Sequence, residues 1–441
     1  LMLDQTNGAV LSATGPVFCL SAMPEEIVER LASEKGKRPL LDDPHPEQRI
    51  RELLAERASG YDQYPQIITS NRTPQQIVEE IHNLIDKDIL TIRHPQGQYE
   101  VIVGTNLLTN IRQLAGVDGP LAIVTDSNVG PLYAHRCQDT DLILTIPAGE
   151  QHKTLAIVNQ LYDELLAGGL DRQGTIVALG GGVVGDVAGF VAATYLRGVN
   201  FIQCPTSLLA MVDASVGAKT GVDLPQGKNL VGAFKQPVAV LADLDTLLTL
   251  PNEEYAAGMA EVIKAGLIAD PALFHTLETE DKIASLANQR DLTHLTSVVT
   301  AAIKVKQLVV EEDPFEKGRR AVLNLGHTFA HAIEQVSEYQ IRHGEAVGMG
   351  LVAAANLSAR LDYCSEFLQA RIESVLEISN LPKRIPSNLS PTALYQAMGS
   401  DKKKANGRLR FILIRDVGDV FISRDIPKDM VLETIVTCSM D

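Results

Sequence analysis

One glutamate and three histidines in the C-terminal half are residue types that can hold a metal ion. LNLGHTFAHAIE places His327 and His331 one helical turn apart, and His343 follows in RHGEAVGMG. Upstream, Glu261 and Lys264 lie three residues apart in the apolar stretch GMAEVIKAGLI, where a buried charge needs a partner such as a metal ion. A glutamate with two histidines is a typical catalytic zinc set. The spacing does not decide which histidines are ligands, and a lone helical histidine is commonly an ordinary core residue.

A second candidate site is a glycine-rich segment after TIVALG, which reads as a buried strand. Gly180, Gly182 and Gly185 give G-x-G-x-x-G at the start of a predicted helix, a pattern typical of pyrophosphate binding. The alternative is a strand-to-helix turn that needs a positive φ angle. The acid that a dinucleotide fingerprint places about 20 residues further on is absent, and Asp186 follows the glycines directly instead.

The elements around this segment alternate between strands and helices. QYEVIVG, PLAIVTD and LILTIPAGE read as strands, with helical segments between them, which predicts a parallel sheet that binds ligands at its carboxyl edge. Asp126 and Asn128, then Glu150 and Lys153, follow two of these strands. Asp126 could bind a nucleotide hydroxyl or cap a helix. After residue 250 helices dominate, apart from the strand-like segments RLRFILIRD and VGDVFIS.

Charged residues also lie between small residues in the run after PTSLLAM. Asp213, Lys219, Lys228 and Asn229 there indicate either an anion-binding set of loops or a solvated surface loop.

Composition narrows the function classes. The chain has 441 residues, which predicts two or three domains, and a formal net charge of −16, which argues against nucleic acid as a partner. Its five cysteines form no C-x-x-C pair, no apolar run is long enough to span a membrane, and no signal peptide is recognisable. These features predict a cytoplasmic enzyme that acts on a small molecule.

Four segments, GGGVVGDVAGF, TYLRG, PTSLLAMVDASVGAKTGVD and GKNLVGAFKQP, resemble the 3-dehydroquinate synthase family, and the likeness runs from about Gln98 to the C-terminus. The resemblance implies an α/β, Rossmann-like NAD-binding domain at 94–250 and an all-helical or mainly helical metal- and substrate-binding domain at 251–441. It also implies an NAD site formed by Asp126, Asn128, Glu150, Lys153, Gly181, Gly182, Val183, Asp186, Thr206, Ser207, Lys228, Thr249 and Leu250.

The same resemblance assigns the remaining site residues. The metal ligands, for Zn²⁺ or Co²⁺, would be Glu261, His327 and His343. Catalytic roles fall to Asp213, Lys264, Lys306 and His331, and substrate binding to Arg197, Lys219, Asn229, Arg320, Asn324 and Lys402. Arg197 would reach a neighbouring subunit, which implies a homodimer.

The expected reaction converts 3-deoxy-D-arabino-heptulosonate 7-phosphate to 3-dehydroquinate and phosphate. The alternatives are a sister cyclase that uses sedoheptulose 7-phosphate, a metal-dependent alcohol or glycerol dehydrogenase, a phosphotransferase and a non-catalytic scaffold.

Residues 1–93 read as a small α/β extension. RPLL and ERASGY resemble the C-terminal part of shikimate kinase, with Arg38 and Arg57 at its lid and substrate arginines, although both could be ordinary solvated side chains. TPQQIVEEIHNLI predicts a helix capped by Thr73. The motif G-x-x-x-x-G-K-[ST] is absent from the sequence, so we expect a truncated kinase–synthase fusion that transfers no phosphoryl group.

Overall fold

The computed structural model describes residues 17–31, 45–61, 64, 66–85, 87–138, 140–279, 292–400 and 409–439. The chain divides into two compact units, Leu1–Lys87 and Asp88–Asp441. Among the helices so described, none has the length and apolar character needed to cross a membrane.

The first unit is a small α/β piece in which two short strands pair in parallel. Its elements are β1 Cys19–Ser21, α1 Pro24–Leu31, α2 Pro46–Tyr61, β2 Gln66–Ile68 and α3 Pro74–Ile85. The predicted cap of α3 is confirmed, because the Gln76 backbone N–H donates to Thr73 Oγ1 at 3.3 Å and the Thr73 N–H donates to Gln76 Oε1 at 2.9 Å. Arg57 is exposed on α2, and Arg38 lies outside the described residues.

The second unit begins with a twisted sheet and its crossover helices. Its strands are β3 Asp88–His94, β4 Gly97–Gly104, β5 Leu121–Asp126, β6 Leu142–Ile146, β7 Thr175–Gly180, β8 Asn200–Pro205, β9 Lys219–Leu224, β10 Gly227–Phe234 and β11 Ala239–Asp243. The helices between them are α4 Ile111–Ala115, α5 Gly130–Tyr133, α6 Leu155–Ala167 and α7 Gly182–Thr194. Short 3₁₀ turns lie at Leu108–Asn110, Ala134–Arg136, Glu150–His152, Tyr195–Arg197 and Leu244–Thr249, and a π-helical turn at Ala210–Ala214.

Seven of these strands form one sheet in the order β3-β4-β11-β8-β7-β5-β6. The strands from β4 to β6 are parallel, as predicted, whereas β3 pairs antiparallel with β4 at the edge because a tight turn joins them. All six residues of β7 are buried, which fits a central strand covered on both faces. Since the sheet starts at Asp88, the second unit begins before the predicted boundary at residue 93; the division into three domains stays a prediction.

The remainder of this unit is mainly helical. Its elements are α8 Asn252–Ala269, α9 Pro271–Leu277, α10 Leu292–Glu312, a 3₁₀ turn Arg319–Asn324, α11 His327–Val336, α12 His343–Arg360, α13 Glu366–Ile378, α14 Pro391–Ser400, β12 Phe411–Asp416, β13 Asp419–Ser423 and α15 Lys428–Ser439. The hairpin of β12 and β13 is the exception to an all-helical half, and its buried residues pack on α12. Helix α12 is the centre of this half, because α8, α11, α13 and α15 all pack against it.

Candidate active site

Three helices bring the predicted metal ligands together. Glu261 lies in the middle of α8, whereas His327 and His343 are the first residues of α11 and α12. The Nε2 atoms of both histidines lie 3.7 Å from Glu261 Oε1. Each of the three residues offers one possible ligand atom, and these three atoms all lie within 4.8 Å of one another. This spacing is compatible with three ligands around one ion.

Glycines allow the three helices to approach this closely. A Cβ atom on Gly344, next to His343, would lie 2.2 Å from the Ala257 Cα of α8. A Cβ atom on Gly350 would lie 2.3 Å from the carbonyl oxygen of Gly326, which precedes α11. Backbone therefore packs directly on backbone at both crossings, and the start of each histidine helix is held against its neighbour.

The environment of Glu261 is the strongest local sign of a metal ion. The residue is 3% exposed, and neither carboxylate oxygen accepts a well-formed hydrogen bond from the described residues. Lys264 Nζ contacts Oε2 as an ion pair. Burial raises the pKa of Glu261, but Lys264 and the two histidines outweigh it and hold the pKa well below its usual range. An ionised, buried carboxylate beside two histidine nitrogens fits Zn²⁺ or Co²⁺.

The two candidate histidine ligands differ in charge in the metal-free protein. Burial and then the Lys264 ammonium lower the pKa of His327 to about 3, so its ring is neutral. Burial also lowers the pKa of His343, but the contacts of its ring with Glu261 and Glu334 outweigh burial and raise that pKa to about 10. A metal ion would therefore displace a proton from His343.

His331 is near this group but is not a member of it. Its ring centroid lies 5.3 Å from that of His327 and 6.4 Å from that of His343. The geometry therefore favours Glu261, His327 and His343 as the ligand set and leaves His331 beside it.

Glu334 belongs to the site but was not predicted from the sequence. Its Oε1 lies 3.2 Å from His343 Nδ1, and its side chain is 12% exposed. The signal was present, because Glu334 follows His327 by seven residues and so lies on the helix face that His327 and His331 share.

The glycine-rich turn forms a pocket between β7 and α7. This shallow pocket is lined by Ala178, Gly180, Gly181, Gly182, Gly185, Asp186, Gln203, Pro205, Ala210 and Ala214. The interpretation that these glycines need a positive φ is wrong, since none of them has one. A Cβ atom on Gly181 or Gly182 would make ordinary contacts of 3.7 and 3.6 Å inside the protein. Their missing side chains leave room for a ligand at a helix N-terminus, which fits a pyrophosphate group.

Polar residues of the predicted NAD and substrate sites form a hydrogen-bonded network around the buried Lys153, beside this pocket. Lys153 is 4% exposed and donates from Nζ to Asp186 Oδ2 and to Asn229 Oδ1, each at 2.6 Å. Burial raises the pKa of Asp186, and Lys153 opposes this shift only in part. Glu150 and Lys228 pair at 3.4 Å. The structure thus brings together residues from β7–α7, β9–β10 and the turn after β6.

The remaining predicted cofactor residues follow the carboxyl ends of β5, β7 and β8 or, for Thr249 and Leu250, end the 3₁₀ turn after β11. Asp126 Oδ1 accepts hydrogen bonds from the backbone N–H groups of Asn128 and Val129, at 2.8 and 2.9 Å, so Asp126 caps the turn that precedes α5. The Thr206 N–H donates to the Gly180 carbonyl at 3.0 Å. Thr249 Oγ1 lies 2.5 Å from the Tyr133 hydroxyl. Val183, Ser207 and Leu250 are partly buried at the ends of neighbouring elements.

The π-helical turn Ala210–Ala214 links this pocket to the metal group. Ala210 and Ala214 line the pocket, while Asp213 of the same turn accepts a hydrogen bond from Lys306 Nζ at 2.5 Å. Burial raises the pKa of Asp213, but Lys306 and Lys264 together hold it below its usual value. Burial lowers the pKa of Lys306.

A buried arginine and an exposed lysine are the next cationic residues of the predicted substrate site. Arg320 is 4% exposed and donates from Nη2 to the Gly217 carbonyl at 3.0 Å and from Nη1 to the Pro314 carbonyl at 2.9 Å. Lys219 pairs with Glu316. Asn324 ends the 3₁₀ turn that contains Arg320.

The structure does not bring one described substrate residue of the prediction, Arg197, into this group. Arg197 is exposed in a turn where Leu196, Arg197 and Gly198 all have positive φ angles. Lys402 lies outside the described residues.

Comparisons with known proteins agree with these features. Family models match residues 143–257 as 3-dehydroquinate synthase N-terminal, residues 258–404 as 3-dehydroquinate synthase C-terminal and residues 1–86 as shikimate kinase. A 3-dehydroquinate synthase of Acidithiobacillus ferrooxidans is 47% identical over 351 residues, which cover 77% of this chain and 95% of the relative. The corresponding protein of Nitrosospira multiformis is 43% identical over 356 residues, covering 78% and 96%.

Solved structures give the same architecture. A 2-deoxy-scyllo-inosose synthase complexed with carbaglucose-6-phosphate, NAD⁺ and Co²⁺ is 28% identical with a TM-score of 0.72, and covers 79% of this chain and 99% of its own. The 2-epi-5-epi-valiolone synthase of Streptomyces hygroscopicus, with NAD⁺ and Zn²⁺ bound, is 28% identical with a TM-score of 0.71, covering 77% and 96%. On the family models and on relatives above 40% identity over nearly their whole length, this chain belongs to the 3-dehydroquinate synthase family.

Proposed function

We propose that this protein is a 3-dehydroquinate synthase, which converts 3-deoxy-D-arabino-heptulosonate 7-phosphate to 3-dehydroquinate and phosphate. The observation that carries the proposal is the π-helical turn, which joins the glycine-lined pocket to Asp213 and, through Asp213, to Lys306 and Lys264. The substrate carries a carboxylate and a phosphate, and the buried cations Lys264, Lys306 and Arg320 outnumber the carboxylates of Asp213 and Glu261, which suits an anionic molecule between a nucleotide and a metal ion. A simple alcohol dehydrogenase has no need of them.

A nucleotide cofactor and a metal ion would supply the chemistry that amino-acid side chains lack. When bound, NAD⁺ in the glycine-lined pocket supplies a transient oxidation at C5 that is later reversed, and a Zn²⁺ or Co²⁺ ion held by Glu261, His327 and His343 supplies Lewis acidity toward substrate hydroxyls. Zinc, NAD⁺ and cobalt accompany the related cyclases described above.

The chain itself binds and orients the substrate. We assign Arg320 to the substrate carboxylate, because its guanidinium is fixed by two backbone carbonyls and can present a planar pair of donors. Lys219, Asn229, Asn324, His331 and Lys402 are assigned to the other polar groups of the substrate, and Lys219 and Lys402 act as point charges.

Proton transfer is assigned to the charged residues around the π-helical turn. Lys306 Nζ donates to Asp213 Oδ1, and burial lowers the pKa of this lysine, so its ammonium group can release a proton more readily than a solvated one. Lys264 Nζ pairs with Glu261 and holds the pKa of that carboxyl down, and we assign to Lys264 the exchange of a proton with a substrate oxygen. Once phosphate has left, the final carbon–carbon bond forms within one molecule, so orientation in the closed site supplies much of the acceleration.

A phosphate-release assay tests the proposal. Purified protein is incubated with the heptulosonate phosphate, with and without NAD⁺ and a chelator, while absorbance is followed at a wavelength specific for NADH. We expect phosphate release that requires both NAD⁺ and metal, without accumulation of NADH. Release from sedoheptulose 7-phosphate and not from the heptulosonate would assign the protein to a sister cyclase, and steady NADH production would make it a dehydrogenase.

Three further assignments belong to the same proposal. Arg197, which is exposed, reaches the site of a neighbouring subunit in a homodimer. The protein acts in the cytoplasm. The residues 1–86 that match the shikimate kinase family model are assigned no part in this reaction.

A further inference from the structure

The two histidines of the metal group face Glu261 in the same way. In each ring Nε2 lies 3.7 Å from Glu261 Oε1, so Nε2 is the nitrogen available to an ion bound beside that oxygen. The other nitrogen of each ring is engaged elsewhere. His327 Nδ1 lies 3.1 Å from the carbonyl oxygen of Leu325, and His343 Nδ1 lies 3.2 Å from Glu334 Oε1.

Both second contacts are with oxygen atoms that can only accept a hydrogen bond. A carbonyl oxygen has no proton to donate, and a carboxylate such as that of Glu334 is an acceptor in its ordinary ionised form. Each ring must therefore carry its proton on Nδ1 when neutral, which leaves the lone pair on Nε2. That tautomer is the one a metal ion at Nε2 needs.

From this geometry we propose that Glu334 is a positioning residue for the metal ion, which fixes the ring orientation and the tautomer of His343 and strengthens Nε2 as a ligand. The proposal rests on the metal site assigned above. A carboxylate behind a histidine ligand raises the basicity of the ring and holds it in place. His327 has the weaker support of a backbone carbonyl, so the two ligands are not equivalent.

The location of Glu334 explains why His343 depends on a side chain for support. His343 is the first residue of α12, where its ring is 36% exposed, whereas the His327 ring is 11% exposed and packed in the core. Glu334 reaches it from α11, the helix that also begins with His327. One helix thus supplies one ligand directly and orients the ligand of the neighbouring helix.

The charge balance agrees with this role. With both histidines neutral, the Glu261 and Glu334 carboxylates supply two negative charges, against three positive charges from a divalent ion and the Lys264 ammonium. Lys264 pairs with Glu261 at its second oxygen, Oε2. If Glu334 lost its charge, Glu261 would be the one carboxylate left to balance the ion and Lys264 among the described residues of this group.

Metal affinity of the apoprotein tests the proposal without recourse to catalysis. Metal is removed with a chelator, and the dissociation constant for Zn²⁺ is measured by competition with a chromophoric chelator. Glu334→Ala should weaken binding about 10- to 100-fold, as is typical when such an outer carboxylate is lost. Glu334→Gln keeps an acceptor oxygen but loses the charge, so its Zn²⁺ dissociation constant should lie between those of Glu334→Ala and the wild type. It also provides a second variant for the test if the alanine variant does not fold.

Glu338→Gln is the matched control, since this exposed residue lies four positions further on and its substitution removes the same charge. It should leave Zn²⁺ affinity within about twofold of the wild type, well short of the loss expected for an orienting carboxylate. In the Co²⁺-loaded protein, the visible absorption bands should shift for Glu334→Ala and not for Glu338→Gln, because only the first changes the ligand field.

Two results would overturn the proposal, and they are distinguishable. If both Glu334 variants bind Zn²⁺ as tightly as the wild type, with an unchanged Co²⁺ spectrum, then Glu334 has a merely structural role while the metal site stands. If the wild type itself binds no Zn²⁺, or His327→Ala binds it equally well, then the metal site of the proposed function fails together with this inference.

Discussion

Gly217→Ala tests whether the position of Arg320 matters to the reaction. Gly217 has a φ of +112°, a region that residues with a side chain rarely adopt, and its carbonyl accepts a hydrogen bond from Arg320 Nη2 at 3.0 Å. A Cβ atom there would lie 2.2 Å from Arg320 Nη2 and 3.1 Å from Cζ. The guanidinium must move, and it has little room because Arg320 is 4% exposed and also held by Pro314.

The expected cost has two parts. The backbone strain of a side chain at such a φ is of order 1–3 kcal/mol and should lower the melting temperature. Displacing Arg320 from the substrate carboxylate removes a charge-assisted interaction of about 1.5–3 kcal/mol, which corresponds to a fall in kcat/KM of about 10- to 150-fold.

Gly116→Ala separates these two effects. Gly116 also has a positive φ, +63°, but a Cβ atom there would meet nothing within 4 Å. It should cost about 1 kcal/mol of stability with no change in kcat/KM. Thermal unfolding and the phosphate-release assay measure both quantities. If Gly217→Ala retains the wild-type kcat/KM while losing stability, the assignment of Arg320 to substrate is refuted.

Three other changes have defined outcomes. Lys153→Met removes the ammonium group that Asp186 contacts, so it should lower the free energy of unfolding by about 2 kcal/mol. It should also weaken NAD⁺ binding, measured by calorimetry. An unchanged NAD⁺ affinity would exclude this network from the NAD site. Hydrogen bonds from Arg371 lower the pKa of Glu278 in the folded protein. The ionised carboxylate therefore adds to the free energy of unfolding at pH values above its unfolded-state pKa. This contribution is lost as the pH falls through the lower pKa of the folded state. Glu278→Gln should therefore cost about 1 kcal/mol at neutral pH and nothing in strong acid, and a pH-independent loss in denaturant unfolding would contradict this. His327→Ala should abolish Zn²⁺ binding and turnover together, and turnover in chelated buffer would refute the ligand assignment.

The sequence predicts the elements well wherever one periodicity dominates. Apolar β-branched runs such as TIVALG became buried parallel strands, and Thr73 marked the start of α3. The antiparallel edge strand β3 and the start of the second unit at Asp88 were not predicted, because LTIRH is too short and too polar to distinguish from a linker.

The site was predictable in its residue types but not in their pairings. The spacing of His327, His331 and His343 allowed several ligand sets, and the packing of α8, α11 and α12 selects one of them. Helical spacing puts Glu334 on the face that His327 and His331 share, but only the packing of α12 places His343 beside it. For Asp126, the two backbone hydrogen bonds that it accepts depend on a turn geometry that residue order does not specify.

The redox cycle at the centre of the proposed function can be tested with substrate that carries deuterium at C5. The protein is incubated with this substrate and excess NAD⁺, and both the 3-dehydroquinate and the cofactor pool are analysed by mass spectrometry. We expect the product to retain the deuterium and the cofactor pool to remain unlabelled, because hydride returns to the carbon from which it came. Deuterium that accumulates in NADH, or product formed at an equal rate without NAD⁺, would contradict the proposed function.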